Sequence, residues 1–149
     1  MIQYNTLDEV TQNSISTAYD AYGEPTFITI FDFGSATAPG PFLQSEALQY
    51  SNGQATSDVV SDSSGAFRET TYAYDGTEVQ ATSGVPQHTT PYGSRGNLTQ
   101  ILQYVTPTSN TSATVAHNFQ YFDTGSLYED LTVAASLILP TTRQTLIQT

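Results

Sequence analysis

Four carboxylates recur in one context along the chain. Asp20, Asp32, Asp75 and Asp123 each follow an aromatic residue, respectively Tyr19, Phe31, Tyr74 and Phe122. Each is followed within three residues by a glycine: Gly23, Gly34, Gly76 and Gly125. Two such acids facing each other across a cleft at a set separation could hydrolyse a glycosidic bond. Acidic turns could also hold calcium, but the dense oxygen spacing of a D-x-D-x-D-G loop is absent. A structural reading fits every copy. The Asp side chain accepts hydrogen bonds from the backbone ahead of it, and the glycine supplies the positive φ that closes a tight turn. We therefore read the four motifs as structural turns and assign no catalytic, cofactor-binding or metal-binding residue.

The other candidates for chemistry are sparse. His88 and His117 are the only histidines and have no metal-ligand spacing. His117 shares a predicted strand face with Phe119 and reads as a strand residue with a backbone partner. No Gly-x-Ser-x-Gly elbow supports a hydrolase triad, and no glycine loop is arranged to cradle phosphate. Ser94-Arg95-Gly96-Asn97 reads as a turn whose arginine lies near a sheet edge. There is no cysteine, so neither a disulfide nor a thiolate metal site can form.

Charge narrows the partners. The cations are Arg68, Arg95 and Arg143, set against fourteen carboxylates, for a net charge of −11. Nucleic acid and anionic membrane surfaces both demand clustered Lys and Arg, and neither fits. The most apolar stretch, Leu131 to Leu139, is too short to span a bilayer and contains Thr132 and Ser136, so no membrane insertion is expected. Met1 to Asn5 shows no signal-peptide pattern, although the neutral polar composition suits an extracellular or cell-surface protein. The ten tyrosines allow two readings. They could stack on sugar rings beside Asn and Asp in long loops, or pack as cross-strand ladders within a sheet.

The elements that must position these residues are strands. Phe67–Tyr74 and Val115–Tyr121 alternate with period two, Leu98–Val105 is a further strand, and Thr26–Phe31 is apolar on both faces, as in a strand covered on two sides. Only Leu7–Val10 hints at a helix. The stretches 35–41, 51–65, 84–96 and 106–112 read as turn-rich spacers, longer than hairpin loops, so that some are expected to carry short irregular strands or to project from the sheet as loops.

Two blocks carry a family resemblance. One is Arg68-Glu69-Thr70-Thr71-Tyr72-Ala73-Tyr74-Asp75-Gly76, continuing into Gly93-Ser94-Arg95-Gly96-Asn97-Leu98-Thr99-Gln100-Ile101. The other is Phe119-Gln120-Tyr121-Phe122-Asp123-Thr124-Gly125-Ser126-Leu127-Tyr128, and Tyr4 to Gln12 resembles a decayed copy with Asn5 at the Asp position. Together they resemble the YD-repeat, or Rhs, family. The resemblance implies antiparallel β-hairpin repeats forming a curved sheet or partial β-shell, whose role is encapsulation or surface contact.

Residues 1–132 are expected to form this all-β repeat region, with 133–149 a divergent C-terminal tail that has no Tyr-Asp pair. The family's self-cleavage motif is missing, so neither self-cleavage nor a carried toxin is expected. The expected function is structural and non-enzymatic, without cofactors: a wall segment that self-associates or joins other β-repeat segments through its strand edges. The alternative is a carbohydrate- or cell-surface-binding module, which would leave two or three aromatics exposed beside Asn or Asp on one loop cluster.

Overall fold

The computed structural model describes residues 2–6, 12–35, 37–84, 94–107 and 113–136. They form an all-β protein with no helix among the described residues. The strands are β1 (Ile2–Thr6), β2 (Gln12–Tyr19), β3 (Pro25–Phe31), β4 (Phe42–Ser51), β5 (Gln54–Asp62), β6 (Gly65–Tyr74), β7 (Leu98–Tyr104), β8 (Thr114–Tyr121) and β9 (Leu127–Ser136). They pair in sequence order as one antiparallel sheet of nine strands. The sheet is open and does not curl: β1 and β9 lie at opposite ends, each paired with a single neighbour. The suggested helix at 7–10, His88, Arg143 and the tail beyond 136 lie outside the described residues.

Register divides the side chains into two unlike faces, because cross-strand partners share a face and neighbours along a strand alternate. One face runs through Thr17, Ile28, Glu46, Val60 and Arg68 in successive pairs, and carries Ile15, Ile30, Leu48, Asp58, Tyr72 and Ile101 beside that line. The other face mixes small polar with apolar residues: Ser16, Thr29, Ser45 and Ser61 form one row, Ala18, Phe27, Ala47 and Val59 a second, and Ser57, Thr71, Leu102 and Ala116 a third. On it Gln100 donates to the Asn118 side-chain oxygen across β7 and β8 at 2.8 Å.

The strand read as covered on two sides is not so covered. No residue of β3 is buried and Phe27 is exposed, because the described residues supply no second layer to lie over it. The spacer at 51–65 carries more than a short irregular strand, since it contains all nine residues of β5 between two tight turns. Asn52 and Gly53 both have positive φ, 53° and 75°, as a two-residue I′ hairpin turn requires. Such a turn has the right-handed twist of the strands it joins, so β4 and β5 pair up to Ser51 and Gln54.

A charged trio interrupts the aliphatic face. Arg68 reaches Asp58 at 2.9 Å and Glu46 at 3.3 Å. Arg68 donates to only one Asp58 oxygen; the other, Oδ1, is buried without a partner in the described structure. Burial, reinforced by the neighbouring Asp58 charge and a hydrogen bond with it, raises the Glu46 pKa above its ordinary value against the opposing pull of Arg68.

Candidate functional site

A meander places the turns that follow even-numbered strands at one end of the sheet, so the residues near 20, 52, 75 and 123 lie together along one rim. Asp32 is at the opposite end. Each even-numbered strand reaches this rim through a tyrosine, Tyr19, Tyr50, Tyr74 or Tyr121, and in each case the pairing register shifts immediately before it. An extra residue at such a bulge raises local twist and redirects the side chain beside it. Two of these tyrosines bind the preceding strand: the Tyr74 hydroxyl donates to the Ala55 carbonyl and that of Tyr121 to the Leu98 carbonyl, both at 3.0 Å.

The four Asp motifs do four different things. Asp20 accepts from the Tyr22 and Glu24 amides at 2.8 and 3.0 Å, and Gly23 closes that turn at φ 88°. Asp32 accepts from the Phe33 amide at 2.8 Å, and its own amide donates to the Pro41 carbonyl at 2.8 Å. Gly34 is not in the left-handed region. It is needed because a β-carbon there would run into the backbone of Ala38, Pro39 and Gly40, where the loop doubles back. Phe31 and Phe42 meet edge to face at the loop's base, with ring centroids 6.3 Å apart.

At the third motif Asp75, not Gly76, takes the positive φ, 53°. Its carboxylate gathers the far arm of the β6–β7 connector, accepting from the Ser94 hydroxyl and from the amides of Arg95, Gly96 and Asn97. The Gly76 amide donates to the Thr99 hydroxyl at 2.9 Å. The Ser94 hydrogen bond, aided by those amides and opposed by desolvation, holds the Asp75 pKa below its ordinary value. A depressed carboxylate adds stability that is present above its unfolded pKa and is lost as pH falls through the folded one. Asp75→Ala is accordingly expected to lower stability by about 1 kcal/mol at neutral pH and to flatten the acid limb of a urea-midpoint against pH curve.

Asp123 is buried, 4 % exposed, and fastens the connector's near arm. It accepts from the Thr82 amide at 3.1 Å and from the Thr82 hydroxyl at 2.6 Å. Its amide donates to Gln80, whose own amide donates to Tyr121, both at 2.8 Å, so that Gln80 forms a parallel bridge with Phe122. Arg95 from the far arm donates to the Asp123 carbonyl, which places it on the β8–β9 turn. Gly125 completes that turn at φ 91°, and Phe122 stacks edge to face on Tyr128 at 5.0 Å.

Between the first two turns of the rim lies a cleft of about 440 Å³, lined by Asp20, Tyr22, Glu24, Tyr50, Asn52 and Gly53. Tyr22 is 90 % exposed. Burial, then the charges of Glu24 and Asp20, push the Tyr50 phenol up. His117 is remote from the cleft on β8, with a side-chain rather than a backbone partner: Thr132 Oγ1 lies 3.1 Å from its Nδ1. Among the described residues no group of three or more His, Cys, Asp or Glu could hold a metal.

The sequence marks Asp20 as a turn residue but not the cleft. The missed signal is Tyr50-Ser51-Asn52-Gly53, an aromatic strand end followed by the strongest short hairpin dipeptide. Comparison of the chain with protein-family models and with curated proteins finds no match.

Proposed function

We propose that this chain is a structural, non-enzymatic β-layer of the YD-repeat type that forms part of the wall of a larger encapsulating or surface-exposed assembly. The observation that carries the reading is an aliphatic face that stays only half-buried among the described residues. Ile15, Ile28, Ile30, Leu48, Tyr72 and Ile101 share a side, yet Val60 is the single buried hydrophobic residue among those described. A sheet of this breadth gains most of its stability by pressing such a face against another layer. The edges β1 and β9 offer further backbone pairing to copies of the chain or to other β-repeat segments.

Light scattering across a size-exclusion peak tests this. Oligomers or mass that grows with concentration are expected, and Ile30→Lys combined with Ile101→Lys should reduce the mass while circular dichroism still reports strands. A single monomeric mass at every concentration would refute it.

The cleft favours a second reading, a carbohydrate-binding module. Tyr22 and Tyr50 stand beside Asn52 and Asp20 on one loop cluster, the arrangement such a module needs.

A further inference from the structure

The cleft at the rim has a chemical bias that the carbohydrate reading alone does not supply. Its six lining residues include two carboxylates and no cation. Asp20 uses Oδ1 to hold its own turn, whereas Glu24 forms no ion pair among the described residues. Gly53 brings the second turn so close that a β-carbon there would lie 3.6 Å from Glu24 Oε1, so this carboxylate reaches across the cleft. The Tyr22 ring presents nearly its whole surface to solvent at the mouth. A volume of about 440 Å³ falls within the range of about 300–1,000 Å³ occupied by small-molecule sites.

These features select among sugars. A tyrosine face stacks on the apolar side of a pyranose and also attracts a cation through its quadrupole. Asn52 offers both a donor and an acceptor to hydroxyls. The two carboxylates favour a protonated amine and repel uronate or sulfate, and the net charge of −11 acts in the same direction at longer range.

Resting on the carbohydrate reading, we propose that this cleft binds an amine-bearing sugar residue, its ring on Tyr22 and its ammonium group between Asp20 and Glu24. Anionic glycans are excluded by the same geometry.

Calorimetric titration of the full chain at about pH 6 tests this with three probes: a glucosamine trimer, its fully N-acetylated counterpart, and lysine amide as an amine without a sugar. The expected result is binding of the glucosamine trimer about tenfold or more tighter than of the acetylated trimer. That preference should vanish in Glu24→Gln, and binding itself should be lost in Tyr22→Ala. Equal affinity for the two trimers, still lost in Tyr22→Ala, would overturn the amine preference and leave the sugar reading standing. Lysine amide binding as tightly as the glucosamine trimer would overturn the sugar reading, and the proposal with it. Absence of heat with all three would overturn both.

Discussion

Asp123→Ala is expected to lower the stability of the chain by about 2–3 kcal/mol, measured as a shift in urea midpoint at fixed protein concentration. The side chain is buried and accepts both the amide and the hydroxyl hydrogen of Thr82. Alanine leaves both Thr82 donors without their acceptor in a part-buried setting, where an unmet donor forfeits desolvation energy as well as the net value of its hydrogen bond. Asp123→Asn retains an acceptor oxygen and should lose roughly half as much. The damage should also be local: amide exchange at Gln80 and Thr82 should accelerate more than exchange at Val60, in the middle of the sheet. A midpoint within experimental error of the wild type would show that the connector is not held through Asp123.

The second large effect concerns the charged trio on the aliphatic face. Arg68→Ala removes the one cation beside two carboxylates, of which Asp58 is only 12 % exposed and Glu46 31 % exposed. A fully buried pair broken in this way loses about 3–5 kcal/mol. Arg68 itself is 53 % exposed, so solvent screening reduces the expected loss to about 1–2 kcal/mol at neutral pH. The loss should shrink on acidification. Glu46 has a folded pKa raised above its unfolded value, so its contribution is fully present below the unfolded pKa and disappears as pH rises through the folded one. A protonated Glu46 can also donate to its Asp58 neighbour, whose Oδ1 is otherwise without a partner. Glu46→Gln keeps a donor without the charge and should raise stability at pH 7 by about 0.2–1 kcal/mol. Urea melts near pH 5 and pH 7.5 decide the matter. An Arg68→Ala loss that is equal at both pH values, or a Glu46→Gln variant less stable than wild type at neutral pH, would contradict it.

The parts of the fold legible in the sequence were those where apolar periodicity and turn chemistry coincide. Phe67–Tyr74, Val115–Tyr121 and Thr26–Phe31 all lie in strands, as their alternation or β-branched content indicates. β5 was not legible because Gln54-Ala55-Thr56-Ser57 looks like loop composition. In a one-layer sheet the serine and threonine face needs only cross-strand neighbours and solvent, so the pattern that identifies buried strands is faint. Asp20, Asp75 and Asp123 were legible as turn acceptors. Asp123 reaches Thr82, 41 residues back, and Asp75 reaches Ser94, 19 residues on, and no local pattern encodes contacts at such separations. The cleft was hidden for a similar reason. Glu24 and Tyr50 come together only once β3 and β4 have fixed which turns are neighbours.

The register shift ahead of each rim tyrosine has one more implication. Two residues join β4 to β5, whereas residues 75–97 join β6 to β7, yet the register steps by one residue ahead of Tyr50 and of Tyr74 alike. Pairing below the tyrosine is thereby insulated from whatever lies above it. A long segment between Tyr74 and Leu98 is thereby accommodated without disturbing the alignment of the sheet below it. The sheet below this border holds one register whatever length of chain joins its strands above.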